Sequence, residues 1–194
     1  MRIVAGRLSG RQFGAPSGKG TRPTSDRVRE ALGSALQSRN AFDGAHVLDL
    51  FAGSGALSFE ALSRGAAEAV LVDRDPQAIQ EIKRSAHMLG VEDQARALKI
   101  DLGGNPAAVV GKVPAPPEGF DLVFADAPYA EIESVPQLLE AFVAANMLAP
   151  GAWVVVEHPV SHGWAWTKGL ASDADYRYGQ TRISLGVYEQ KGTQ

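Results

Sequence analysis

His46-Val47-Leu48-Asp49-Leu50-Phe51-Ala52-Gly53-Ser54-Gly55-Ala56-Leu57 joins a short apolar run, a glycine turn and the start of a helical pattern. Four to six continuous apolar residues bounded by glycines predict a buried strand. The helix behind it turns Leu57, Ala61 and Leu62 inward and ends at Gly65. The same grammar recurs downstream. Ala69–Asp73 is a second run, and Asp75-Pro76 caps and starts a helix with Ile79, Ile82, Ala86 and Leu89 inward, ended by Gly90. Ala97–Asp101 precedes a weaker helix around 105–111, and Phe120–Asp126 precedes one carrying Val135, Leu138, Leu139, Phe142 and Val143. Trp153–Val156 and Arg182–Tyr188 read as the last strands. Strands alternating with helices predict a mostly parallel sheet, and runs apolar throughout require helices on both faces. The fold class expected is doubly wound α/β.

Upstream of this core, Thr24-Ser25-Asp26 offers a helix N-cap, and Val28, Ala31, Leu32, Ala35 and Leu36 form an apolar stripe from which Arg29 is excluded. Residues 1–24 are punctuated by glycines, and Ile3–Ala5 is expected to pair with Arg11–Phe13 as a hairpin across Ser9-Gly10. The division expected is a basic arm over residues 1–24 and one domain over 25–194. Residues 1–40 hold eight basic side chains against two acidic ones, a net +6, while the remaining 154 carry −9. An acidic body with a basic arm suggests a polyanionic partner. Arg7, Arg11, Lys19 and Arg22, spread among glycines, are the expected contacts to that polyanion.

The 194 residues are 45% hydrophobic and 21% charged, a composition that can bury a core without staples. No cysteine is present, which excludes disulfides, thiolate metal sites and a cysteine nucleophile. No apolar stretch is long enough to span a bilayer, and the basic start lacks the apolar run of a secretory signal, so a cytoplasmic location is expected. His158 and His162 have metal-like spacing but no evident third ligand, so no metal is expected. Ser54 and Ser58 lack a base in an elbow, which argues against a serine hydrolase.

Four successive strands end in aspartate: Asp49, Asp73, Asp101 and Asp126. In a parallel sheet those ends share one edge, where ligands bind at the switch in strand order. One such aspartate is ordinarily a turn former; four in register point to a ligand bearing hydroxyl, amine or cationic groups. Gly53 and Gly55 let the backbone turn sharply and approach a ligand. The third glycine of the dinucleotide fingerprint is replaced by Ser58, and Asp49 would repel a pyrophosphate. A cofactor with no phosphate and a cationic, amino-acid-like end fits better: S-adenosylmethionine.

Asp49–Gly55 followed by an acidic strand end resembles the cofactor motif of class I methyltransferases, and Asp126-Ala127-Pro128-Tyr129 resembles the (Asp/Asn)-Pro-Pro-(Tyr/Phe) motif of amino-group methyltransferases. Thr21–Glu30, the opening Arg2–Gly6 with Gly10-Arg11, and Tyr178-Gly179-Gln180-Thr181 are similar to one group, the bacterial 16S ribosomal RNA guanine-N2 methyltransferases of the small subunit. The resemblance implies a seven-stranded Rossmann-like sheet and a monomer. It implies that Phe51, Gly53 and Gly55 underlie the methionine part, with Asp49 near its ammonium. Asp73 would take the ribose hydroxyls, Asp101 the adenine amine, and Thr24 would help close the amino-acid end. Asp126, Ala127, Pro128 and Tyr129 would hold the target base. Ala127 departs from the family's proline, keeping the carbonyl and losing the fixed φ. DNA adenine methylation, protein glutamine methylation and a non-catalytic ribosome-assembly factor on the same fold are the alternatives.

Overall fold

A computed structural model describes residues 1–14 and 26–190. Seven strands form one sheet: β1 (His46–Leu50), β2 (Glu68–Asp73), β3 (Ala95–Lys99), β4 (Phe120–Ala125), β5 (Leu148–Pro159), β6 (Leu170–Tyr178) and β7 (Thr181–Tyr188). Their order is β3-β2-β1-β4-β5-β7-β6. The first five are parallel, and β7 and β6 close the sheet as an antiparallel hairpin. The chain runs outward from β1 through β2 to β3 and then restarts on the other side at β4. The switch in strand order therefore lies between β1 and β4, the place where open sheets of this kind bind ligands.

Alternate residues of the central strands enter two cores. Val47, Leu71, Leu122, Phe124 and Val155 pack under α1 (Asp26–Gln37), α2 (Ala56–Ser63) and α3 (Pro76–Leu89). Leu48, Leu50, Val72, Val123 and Val156 pack under α4 (Pro106–Val110), a 3-10 turn (Tyr129–Ser134) and α5 (Val135–Ala144). Burial on both faces is what the continuously apolar runs require.

The first helix faces differently from its apolar stripe. Its buried residues are Arg29, Leu32, Gly33 and Leu36, while Val28, Ala31 and Ala35 are only partly buried. An ion cluster outweighs hydropathy here. Arg29 donates through Nη2 to the Arg2 carbonyl (2.9 Å) and Asp26 Oδ1 (2.8 Å), and its Nε lies 3.8 Å from Glu60 of α2. Glu60, itself buried, also accepts from the backbone N–H of Val4 (2.5 Å) and Ala5 (3.4 Å). Gly33 makes room for Arg64, which completes the cluster 3.8 Å from Glu60.

The N-terminal segment is bound into the domain. Ile3, Leu8 and Phe13 are buried in the same core as α1 and α2. Its pairing is a single bridge, Arg2 with Gln12, flanked by Ile3 N–H to Arg11 O (2.9 Å) and Phe13 N–H to Met1 O (3.0 Å), rather than a hairpin of two strands. Three apolar anchors and the Glu60 contacts tie it to the domain.

Candidate active site at the carboxyl edge of the sheet

Phe51, immediately after β1, has φ 64°, a left-handed conformation rare for a bulky side chain, and Gly53 and Gly55 follow at 53° and 75°. Such strain persists where the surroundings enforce it and is concentrated at functional sites. At Gly55 a Cβ would stand 2.9 Å from both Leu71 and Phe59, so only glycine fits between this turn and the core. The turn brings the loop back onto β2, where Gly53 N–H donates to Asp73 Oδ2 (2.8 Å). Asp73 Oδ1 accepts from Asp75 N–H (2.8 Å), and Asp75 caps α3. Each Asp73 oxygen retains a lone pair for another donor.

The other aspartates occupy the same edge in distinct environments. Asp49 points towards α2, where Ser58 Oγ donates to its Oδ2 (2.7 Å). Burial pushes the Asp49 carboxyl up to about 7, opposed by the Ser58 bond and reinforced by Asp73. Asp101, past the end of β3, is exposed and accepts from Gly103 N–H (3.1 Å). Asp126 follows β4 directly; burial, with Glu157 and then Asp49 nearby, pushes its carboxyl well above the usual carboxylate range. Ala127 is buried, Pro128 exposed, and Tyr129 opens the 3-10 turn with 47% of its surface exposed. The Tyr129 hydroxyl lies 3.1 Å from Thr181 Oγ1 at the head of β7. Hydroxyl acceptors, a buried acid and a turn with no room for a Cβ fit a phosphate-free cationic cofactor.

The expected site residues thus gather on one edge, except where the chain is not described or points elsewhere. Thr24, Lys19 and Arg22 lie outside the described residues. Arg7 and Arg11 are placed at the opposite edge. Arg7 donates to Leu62 O (3.3 Å) and Gln94 Oε1 (2.5 Å), and Arg11 donates to Leu89 O (2.7 Å) and Met88 O. These carbonyls end α2 and α3, where cations complement the helix dipole. A concavity of about 650 Å³ also opens there, lined by His46, Glu68, Lys83, Arg96 and Phe120. It lies at the amino ends of the strands, away from all four aspartates, so topology and donor chemistry assign the site rather than cavity size.

Four groups at the site are given no role there by the sequence reading. Ser58 reads as a lost glycine, yet it is the partner of Asp49. Glu157 ends the apolar run Trp153–Val156, and the β4–β5 register, with Ala125 opposite Val156, sets it beside Asp126. Arg74, after β2, pairs with Glu131 (2.8 Å) and so ties the loop after β2 to the 3-10 turn after β4. Thr181 meets Tyr129. Glu157, at the end of an apolar run, and Thr181, in the Tyr178–Thr181 segment, carried a local signal. His158 is buried, lies 2.9 Å through Nε2 from Ser184 Oγ and stacks on Trp164, while His162 faces Glu133 (3.5 Å). No cluster of metal-ligating side chains occurs among the described residues. Nor is any helix among them long and apolar enough to cross a membrane.

Residues 1–187 match the family described as Conserved hypothetical protein 95. The chain belongs to that family. It is 34% identical over 193 residues to the Bacillus subtilis (strain 168) protein YlbH, to which an rRNA methyltransferase role is ascribed, covering 99% of this chain and 100% of that one. It is 35% identical over 165 residues to the Ribosomal RNA small subunit methyltransferase D of Escherichia coli (strain K12), covering 84% of this chain and 77% of the relative. Among solved structures, yhhF of Escherichia coli superposes with a TM-score of 0.80 at 32% identity, covering 98% and 99% of the two chains. A Salinibacter ruber RNA methyltransferase shares the fold at 17% identity, 89% and 97% coverage and a TM-score of 0.62. The family's fold is thus the class I methyltransferase-like α/β sheet expected from the alternating strands, with its antiparallel end.

Proposed function

We propose that this protein transfers a methyl group from S-adenosylmethionine to the exocyclic N2 amine of a guanine in the 16S ribosomal RNA of the small subunit. The observation that carries the reading is the placement of Asp49 and Asp126 on the two strands that flank the switch point, near enough for Asp49 to raise the Asp126 carboxyl, with exposed Tyr129 three residues beyond Asp126. The relatives' rRNA methyltransferase names support the substrate class, and the S-adenosylhomocysteine bound by the Salinibacter ruber neighbour supports the donor.

The cofactor would supply an electrophilic methyl on a sulfonium. Phe51, Gly53 and Gly55 would floor its methionine end, with Thr24 closing over it, and Asp49 would face the ammonium. Asp73 would accept the ribose hydroxyls and Asp101 the adenine amine. A guanine N2 is a poor nucleophile because its lone pair is delocalised into the ring. The Asp126 carboxylate and the Ala127 carbonyl, each accepting one N2–H, favour a pyramidal nitrogen whose lone pair faces the methyl. Tyr129 stacks on the base and fixes its plane, as aromatic side chains do with unstacked RNA bases. Bound there, the sulfonium would supply the methyl and leave as a neutral thioether, and Asp126 would take the proton that the methylated nitrogen gives up. Positive charge beside Asp126 draws it back from its raised pKa towards the ionised form that can accept. Positioning and electrostatics then carry the rate, without a covalent enzyme adduct.

The test is transfer of labelled methyl from the cofactor to small subunits lacking this modification, followed by digestion and mass mapping. Label on N2 of one guanine is expected. Label on another atom, or on ribosomal protein, overturns the substrate assignment.

A further inference from the structure

The tip of the β6–β7 hairpin carries charges that the site described above does not use. Strand register sets Arg177 of β6 directly opposite Arg182 of β7, and Arg182 directly opposite His158 of β5. Ile183 and Leu185 enter the core under α1 and α2, whereas Ser184 meets His158 on the other face. By the alternation of a strand, Arg182 and its partner Arg177 stand on that second face, with the 3-10 turn. Two arginines and a buried histidine therefore form one row across three adjacent strands.

Like charges in directly opposed cross-strand positions destabilise a sheet. Neither arginine has an ion-pair partner among the described residues. Arg177 donates through Nε to Gly179 O (3.2 Å), which orients its guanidinium and leaves the terminal nitrogens for another acceptor. The row also adjoins the proposed base site. Thr181, next to Arg182, is the residue that meets the Tyr129 hydroxyl. Arg74, the other cation of this edge tied to the 3-10 turn, is already held by Glu131.

We infer that Arg177 and Arg182 bind phosphates of the RNA strand flanking the base held at Tyr129. This rests on the reading of Tyr129 as a base platform. Planar guanidinium forks suit bidentate phosphate contact, and an anion between them relieves their repulsion. It also supplies local cations on a body of net negative charge, a role that Arg7 and Arg11 are poorly placed to fill.

The experiment compares the wild type with R177Q/R182Q and R177K/R182K in methyl transfer to unmodified small subunits at several potassium chloride concentrations, with melting temperature and cofactor affinity measured alongside. The glutamine pair should fold and bind cofactor as wild type does and keep kcat within a few-fold, while KM rises about tenfold. Its log(1/KM) against log salt should be shallower by about 1.4, for two lost contacts to single-stranded phosphates. The lysine pair should restore the slope. A folded, cofactor-binding glutamine pair with unchanged KM and slope overturns the inference, as does a loss confined to kcat or a lysine pair as impaired as the glutamine pair. Should the wild type transfer no methyl to RNA, the parent reading fails instead. Filter binding of protein-free 16S ribosomal RNA by wild type and glutamine pair then decides this inference: equal affinity and salt slope overturn it, and weaker, flatter binding by the variant upholds it.

Discussion

The two edges of the sheet use charge in opposite ways. At the amino edge, charges are matched: Arg7 and Arg11 cap the carbonyls that end α2 and α3. At the carboxyl edge, Asp49 and Asp126 are held with their carboxyls raised by burial, Phe51 is strained, and Tyr129 is exposed. An edge whose groups satisfy one another contributes stability. An edge whose groups are left costly in the empty protein is relieved when a ligand arrives. Proteins deviate from local consistency mainly where function requires it, and here the strained aromatic residue and the strand-end acids raised by burial share one edge.

The contrast breaks most readily at Asp126. Replacing it by Ala should lower methyl transfer by about 10³-fold or more, the scale of losing a preorganised polar group at the reacting centre. Cofactor affinity measured by calorimetry should stay within a few-fold; full activity would remove the amine-orienting role. On the stability side the matching prediction is Glu60→Ala, which strips the counter-charge from Arg29 and Arg64 and the acceptor from Val4. Unfolding in urea should show a loss of about 3–5 kcal/mol, the cost of breaking a buried pair from one side. A loss below about 1 kcal/mol would mean that the apolar anchors alone hold residues 1–14.

Asp73→Ala should weaken cofactor binding by about 1.5–3 kcal/mol per charged hydrogen bond lost. Unchanged affinity would reduce Asp73 to a turn former for Gly53 and Asp75. Asp49 gives a pH signature. Its folded pKa of about 7 lies above the value of 3.8 for an unperturbed carboxyl, so the folded state holds the proton more tightly. The associated stability is present below pH ~4 and is lost as pH rises towards ~7. The melting temperature of the cofactor-free protein should fall over that window, and Asp49→Asn should flatten the fall; parallel curves would show that Asp49 ionises freely. Smallest of all, Arg7→Ala should cost about 0.3–1 kcal/mol through the helix dipole and leave the transfer KM for small subunits unchanged. A raised KM would return Arg7 to the RNA surface.

The carboxyl edge was legible because each of its features is local. Four strand-final aspartates one βα unit apart share an edge wherever the sheet is parallel, and the Gly53–Gly55 turn needs nothing beyond its own glycines. The cluster of Arg29, Glu60 and Arg64 was not legible, because it joins three segments whose meeting only the fold decides. Arg29 read as solvent-facing since hydropathy cannot register a buried charge with a distant partner. The same limit hid where Arg7 and Arg11 lie: composition gives the charge of the N-terminal segment, and topology decides which edge receives it. Strand β6 escaped as well. Leu170-Ala171-Ser172-Asp173-Ala174-Asp175-Tyr176 lies at the sheet's edge with a register shift between Ser172 and Ala174, so it lacks the apolar run of a central strand.

The most direct measurement is a crystal structure with S-adenosylhomocysteine. The ligand is expected over the Phe51–Gly55 turn, with its ribose hydroxyls on Asp73 and its adenine towards Asp101. Density instead in the concavity between Glu68, Lys83 and Arg96 at the amino edge, or a ribose that does not reach Asp73, would contradict the assignment of function to the carboxyl edge.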